Sequence, residues 1–265
     1  MRLRRIGIAA LLGMLLLTGC TTSAHSGDGL DPNAESSGPG TEQPGPTGEV
    51  TVFAGASLST AFDEIADSFE QQYPGVTVRP IVYDGSSTLV TQLQEGARAD
   101  VLATADERNM QTLVDSGLAV DPQLFATNTL VVAVPAGNPG DVDSLDDLAD
   151  AVTVLCAPEV PCGAASTKLL DAAGVKVTPA SLEQNVTAVL QKIAAGEADA
   201  GLVYATDVIG DDAVESFAPA GADEVVNRYP IVALRDASEA GVAFAEFVRG
   251  DEAQQILAKL GFGAP

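Results

Sequence analysis

Short apolar runs alternate along this chain with stretches in which apolar residues recur every three or four positions. Residues 50–54 have the sequence VTVFA, a run that is typical of a buried strand. Behind this run, Leu58, Phe62 and Ile65 recur at helical spacing and form one apolar stripe. The alternation predicts an α/β fold with mainly parallel sheets, because parallel strands need crossover connections and helices usually supply them.

The same two patterns recur through the rest of the chain. The predicted strands lie at 50–54, 76–82, 100–104, 129–134, 152–155, 200–204 and 231–234. The predicted helices have their apolar faces at 58–73, 89–93, 110–114, 164–173, 186–193, 242–248 and 253–260. Ligands of such sheets bind beyond the carboxyl ends of the strands. We therefore expect a site in the loops that follow residues 54, 82, 155 and 204.

The N-terminus has the layout of a bacterial export signal. Three arginines within the first five residues precede an apolar run at 6–17, which is too short to span a membrane comfortably. The sequence LTGC at 17–20 follows and resembles a lipobox, in which the cysteine is acylated and becomes the mature N-terminus. We expect a lipoprotein signal peptide at 1–19 and a lipid on Cys20. An ordinary cleaved signal beside a chance cysteine is the alternative.

Residues 20–48 are predicted to be a flexible tether. They are rich in Gly, Ser, Thr, Pro and acidic residues and have almost no aliphatic side chains, so they cannot bury enough apolar area to order themselves. The single histidine, His25, lies in this tether and is a poor candidate for chemistry.

The strong negative charge and the lack of histidine in the globular part exclude several classes of function. The formal net charge is −24, and removal of 1–19, which holds three arginines and no acid, takes it to −27. Nucleic acid is therefore not an expected partner. The globular part has no histidine, which excludes Ser-His and Cys-His hydrolases. A secreted hydrolase with a Ser-Lys pair remains a rival, although Lys168 and Lys192 are expected at exposed helix positions.

Cys156 and Cys162 are the two remaining cysteines, six positions apart. A disulfide across this short loop is the natural interpretation in an oxidising compartment, and two free thiols are the alternative. No metal site is expected, because no histidine or further cysteine is available in the globular part.

Small or hydroxyl residues open four of the predicted helices, at 54–57, 84–88, 161–164 and 183–186. The first N–H groups of a helix lack an intrahelical partner, and the aligned peptide dipoles give this end a partial positive charge. Several helix starts that converge would form an anion site from neutral groups. Each serine taken singly could equally be a helix N-cap.

Four segments carry a resemblance to a known family. They are AGASLSTAFDEIADSFEQQYPGVTV, DGSSTLVTQLQEGARADVLATAD, PEVPCGAAS and NVTAVLQKIAAGEADAGLVYATD. In this order they are similar to the molybdate-binding proteins of bacterial ABC transporters. The resemblance extends from about residue 50 to 262 and does not include the tether.

The resemblance implies a specific set of oxyanion ligands. Hydroxyl groups are expected from Ser57, Ser86 and Tyr204, and backbone N–H groups from Cys162 and Val186. Cys162 stands where the family usually has alanine, and Gly85 replaces the first residue of a serine run, which leaves Ser87 as an alternative to Ser86.

The resemblance also implies a two-lobe fold of the periplasmic-binding-protein type, with two crossover strands as a hinge. Lobe 1 is expected at 49–128 and 230–265, and lobe 2 at 129–229. The implied function is capture of molybdate, with tungstate as a second ligand, for an ABC permease. The chain is expected to be a monomeric, lipid-anchored binding protein on the outer face of the cell membrane, without enzymatic activity or cofactor. A binder of another small oxyanion, such as sulfate, is the alternative.

Overall fold

The computed structural model describes residues 45–265, which belong to one compact unit, Pro44–Pro265. The predicted signal peptide, the lipid site at Cys20 and most of the predicted tether lie outside the described residues. Within the described part, no helix combines the length and the apolar character needed to cross a bilayer.

The described chain alternates between strands and helices, which confirms the predicted α/β class. The strands are β1 (Gly48–Val50), β2 (Val52–Gly55), β3 (Val76–Val78), β4 (Val82–Asp84), β5 (Val101–Ala103), β6 (Gln123–Asn128), β7 (Leu130–Pro135), β8 (Thr153–Cys156), β9 (Ser181–Glu183), β10 (Ala200–Tyr204), β11 (Val214–Phe217) and β12 (Asn227–Ala233). The helices are α1 (Ser59–Gln72), α2 (Ser86–Gln94), α3 (Glu107–Asp115), α4 (Pro161–Ala173), α5 (Val186–Ala194), α6 (Glu239–Val248) and α7 (Asp251–Lys259).

The first sheet has five strands in the order β4-β2-β5-β12-β6. Successive residues of β2 point to opposite faces. Val52 packs in one core with Phe62 of α1 and Phe244 of α6. Phe53 packs in the other core with Leu89 of α2. Helices therefore cover both faces of this sheet, and its strand ends remain available for a site.

The second sheet also has five strands, in the order β11-β7-β10-β8-β9. Helices α4 and α5 pack on it, and Leu169, Val189 and Leu202 share its core. At Gly201 of β10 an added Cβ would lie 2.6 Å from the carbonyl oxygen of Val154. A residue without a side chain is therefore required where these strands pack closely.

Both sheets are mixed, which corrects the prediction of mainly parallel sheets. β2 pairs in parallel with β4 and β5, and β8 pairs in parallel with β9 and β10. Every antiparallel pair within the two sheets involves β6, β7, β11 or β12. These four strands flank the two places where the chain passes between the sheets without an α-helix. Without a helical crossover, neighbouring strands are free to pair antiparallel.

The two passages between the sheets lie close together. The first is Thr129, between β6 and β7, and the second is the segment between β11 and β12. β6 and β12 pair directly, with Asn128 opposite Asn227. Gly48, the last residue of the predicted tether, already belongs to β1. Its N–H donates to the carbonyl oxygen of Gly75 at 2.9 Å, and β1 pairs with β3.

Candidate functional site

One small cavity contains all five residues that were expected to bind an oxyanion. They are Ser57, Ser86, Cys162, Val186 and Tyr204. The first two come from loops of the first sheet, and the other three come from the second sheet and its helices. The cavity is small, with room for about one water-sized group and not for a multi-carbon solute.

Ser86 is the first residue of α2 and is almost fully buried. Its Oγ accepts a hydrogen bond from the backbone N–H of Ala105 at 3.0 Å. An amide N–H can only donate, so the hydroxyl proton of Ser86 remains available for donation into the cavity. Ser87 is not among the residues that line the cavity, which favours Ser86 as the hydroxyl of this turn.

Ser57 lies in a short 3-10 turn, Ala56–Leu58, directly before α1. Its Oγ is 3.0 Å from the phenol oxygen of Tyr229. That phenol oxygen accepts from the side-chain amide of Asn128 at 3.4 Å. Because the Tyr229 oxygen accepts a hydrogen bond from Asn128, its own O–H can donate to Ser57. The hydroxyl of Ser57 can then donate into the cavity.

Tyr204 is the last residue of β10 and is 1% exposed. Burial raises the pKa of its phenol well above the ordinary value of 10.0, and the neighbouring Tyr229 and Asp207 raise it further. The phenol therefore stays protonated and acts as a hydrogen-bond donor. The side-chain amide of Asn227 donates to its oxygen at 2.9 Å.

Two helix starts supply backbone N–H groups. Cys162 is the second residue of α4, after a proline that has no N–H, and Val186 is the first residue of α5. Helix residues at these positions have no intrahelical acceptor for their N–H. The positive ends of both helix dipoles therefore lie beside the cavity. The N-cap residue Asn185 accepts from the N–H of Ala188 and fixes the start of α5.

Cys156 and Cys162 form a disulfide with a Cα–Cα distance of 5.7 Å, which confirms the pairing expected from their spacing. The bridge joins the end of β8 to the first turn of α4. It therefore fixes the loop that carries the Cys162 N–H. Directly behind it, an added Cβ at Gly163 would lie 1.9 Å from the carbonyl oxygen of Ala157, so this first turn is packed without spare room.

Reduction of this disulfide, or the Cys156→Ser variant, is expected to lower the free energy of unfolding by about 2 kcal/mol, because the short loop regains its freedom in the unfolded chain. Urea unfolding with and without reductant measures this change. Mass spectrometry of the non-reduced protein should show the bridged peptides. Two thiols that alkylate freely in the native, non-reduced protein would contradict the pairing.

The two sides of the cavity contact each other in its lining and at a second point outside the lining. The side-chain amide of Asn185 donates to Oδ1 of Asp84 at 3.0 Å, and the guanidinium of Arg108 donates to the carbonyl oxygen of Glu159 at 2.7 Å. At Gly85, an added Cβ would lie 2.1 Å from the carbonyl oxygen of Gln184. The approach of the two sides therefore depends on the missing side chain at this position.

Asp84 belongs to the predicted helix opening at 84–88 and lines the cavity, although it was not among the expected ligands. Its Oδ1 accepts from the N–H of Gly85 at 2.7 Å as well as from Asn185. A second carboxyl lies close by, because Asp207 accepts from the backbone N–H of Tyr204 at 2.8 Å. Burial raises the pKa of Asp207 to about 7, so this carboxyl carries only part of a negative charge near neutral pH.

Lys192 is not the exposed residue that the sequence analysis expected. Its ammonium donates to Ser181 at 3.0 Å and to Glu183 at 2.5 Å, and it is half-buried. The hydrogen bond from Lys192 is the main reason that the pKa of Glu183 is lowered. The ion pair joins Lys192 and Glu183, Ser181 is a neutral partner beside it, and none of these three residues lines the cavity.

Three further residues contact the expected ligands and were not predicted as site residues; Ala105 lines the cavity, and the other two lie behind it. Asn227 contacts the hydroxyl of Tyr204, Ala105 contacts that of Ser86, and Tyr229 contacts that of Ser57. No local pattern marks them, because each reaches its partner across long distances in the chain.

Comparison with known proteins gives consistent matches over the globular part. Residues 50–263 match the model of a family described as bacterial extracellular solute-binding protein. The molybdate-binding protein ModA of Mycobacterium tuberculosis strain H37Rv is 41% identical over 239 residues, which are 87% of this chain and 91% of that relative. YvgL of Bacillus subtilis, named as a candidate substrate-binding lipoprotein of an ABC transporter, is 31% identical over 98% of this chain and 97% of its own length.

The fold has close structural neighbours as well. The periplasmic molybdate-binding protein of Azotobacter vinelandii superposes with a TM-score of 0.69 and 20% sequence identity. The match covers 82% of this chain and 99% of that protein. At this identity the likeness concerns the fold, and the sequence relatives carry the evidence for the family.

Proposed function

The chain belongs to the bacterial extracellular solute-binding proteins, and we propose that it captures molybdate for an ABC importer. The observation that carries this proposal is the convergence of three hydroxyl groups and two helix starts in one small cavity. The 41% identity to a molybdate-binding protein supports the choice of oxyanion.

Neutral donors explain how a strongly acidic protein can hold a dianion. The formal net charge is −24, and surface carboxylates act on the site only weakly, because salt screens charges beyond about 8 Å at physiological ionic strength. Hydrogen bonds from hydroxyl and amide groups to a charged acceptor are each worth roughly 1.5–3 kcal/mol. Molybdate near neutral pH carries no proton, so it can accept from every donor in the cavity.

The arrangement also supports a capture mechanism. The two sheets each supply part of the lining, and within residues 45–265 the chain passes between them at two places. In the proposed mechanism these passages are the hinge, and the ligand holds the two lobes closed. The contacts of Asn185 with Asp84 and of Arg108 with Glu159 then belong to the closed form, which the permease recognises.

The proposal extends to the location of the protein. The LTGC sequence at 17–20 supports a lipid on Cys20 and a tether that holds the binding domain at the outer face of the membrane. The match of YvgL along 98% of this chain supports the same location. We expect the anchored protein to act as a monomer, and tungstate to bind as a close analogue of molybdate.

Titration calorimetry of the soluble part of the chain tests the ligand. Molybdate and tungstate are expected to bind at least about 100-fold more tightly than sulfate or phosphate, because a fixed shell of donors fits one size of oxyanion and each lost donor costs about tenfold. Equal or tighter binding of sulfate would assign the protein to a different oxyanion.

A further inference from the structure

Asn227 occupies the point where the chain returns from the second sheet to the first. It is the first residue of β12, lies opposite Asn128 in the pairing with β6, and is only 7% exposed. A buried amide at this place must satisfy its hydrogen bonds inside the protein. Its two donor bonds join the two sides of the cavity.

The orientation of the Asn227 amide is fixed by its neighbours. The Nδ2 atom lies 2.8 Å from the carbonyl oxygen of Ala105, which can only accept, so the nitrogen and not the oxygen must face it. The second proton of the same nitrogen is donated to the phenol oxygen of Tyr204 at 2.9 Å. The phenol oxygen therefore accepts on the side of Asn227, and its own proton is directed elsewhere.

Ala105 connects this bond to a second hydroxyl. Its carbonyl oxygen accepts from Asn227, and its N–H donates to Oγ of Ser86. The backbone of Ala105 is thus hydrogen-bonded directly to Ser86 and, through Asn227, to Tyr204. Both residues line the cavity, and each hydroxyl oxygen accepts a hydrogen bond from a protein N–H group, from Ala105 or from Asn227.

We propose that Asn227 is a positioning residue that directs the phenol proton of Tyr204 toward the bound oxyanion. This inference rests on the proposed function, since it concerns the same site. Asn227 itself does not line the cavity. It acts through Tyr204, and the test must separate this role from a purely structural one.

A double-mutant cycle makes this separation. Asn227→Leu is measured by molybdate calorimetry in the wild-type background and in the Tyr204→Phe background. We expect a loss of affinity of about tenfold in the first background. We expect less than about twofold in the second, where no phenol proton remains to be directed. Asn227→Ala is carried through the same cycle, so that the result does not depend on how leucine fits.

Asn128→Leu is the matched control. Asn128 is the paired residue on the neighbouring strand, is equally buried, and donates to Thr206 and Tyr229 instead of Tyr204. Its effect on affinity should be the same in both backgrounds. A loss for Asn227→Leu that is equal in both backgrounds would reduce Asn227 to a structural role and overturn the inference. Failure of the wild-type protein to bind molybdate would instead refute the proposed function.

Discussion

Gly85→Ala is expected to weaken molybdate binding by about 100-fold or more while changing the free energy of unfolding by about 1 kcal/mol or less. The added Cβ would lie 2.1 Å from the carbonyl oxygen of Gln184 and 2.9 Å from a methyl group of Val160, far inside any normal contact. Both obstacles belong to the opposite side of the cavity. The lobes can relieve the clash only by moving apart, which withdraws the donors of one lobe from the ligand.

The fold of each lobe should tolerate this change. Gly85 has φ −59° and ψ 136°, a conformation that alanine adopts without strain. Calorimetry measures the affinity, and urea unfolding in the absence of ligand measures the stability. Gly250→Ala, between α6 and α7, is the control, and it should leave the affinity unchanged. Wild-type affinity in Gly85→Ala would show that closure does not require contact at this point.

Gly163→Ala is expected to act mainly on stability. It should lower the free energy of unfolding by about 3 kcal/mol or more. Its Cβ would lie 1.9 Å from the carbonyl oxygen of Ala157 and 2.7 Å from that of Cys156. All of these atoms belong to the same lobe, and the disulfide to Cys162 prevents the loop from moving aside. The strain therefore falls on the second lobe itself.

Urea unfolding distinguishes this outcome from that of Gly85→Ala. The midpoint of Gly163→Ala should fall well below that of the wild type even without ligand, and Gly250→Ala should stay near it. If Gly163→Ala unfolds at the wild-type midpoint, the first turn of α4 has more freedom than its packing indicates. The two glycines together separate closure of the lobes from stability of one lobe.

The sequence predicted the features that are local along the chain. Hydrophobic periodicity located the helix α1 and most of β2, because burial determines these patterns. The strand predicted at 50–54 is divided at Thr51, because Val50 belongs to β1 and a separate sheet. Six-residue spacing indicated the bridge between Cys156 and Cys162. The helix starts at Ser86 and Val186 followed from their small and polar residues.

Features that depend on partners distant in sequence could not be predicted in the same way. β9 is too short, with only three residues, to show a period, and the antiparallel pairs follow from how the chain passes between the sheets. The cavity position of Tyr204 was expected only through the family resemblance. Asn227 gave no signal, because its role depends on two partners, Tyr204 and Ala105, that are 23 and 122 positions away.

The position of Ala105 has a consequence for mutagenesis. Its side chain is a single buried methyl group, and its hydrogen bonds to Ser86 and Asn227 are made by the N–H and the carbonyl oxygen of its backbone. Scanning by side-chain truncation leaves both groups in place and would pass over this residue. Replacement of a backbone amide by an ester would instead measure how much these two hydrogen bonds contribute to the binding affinity.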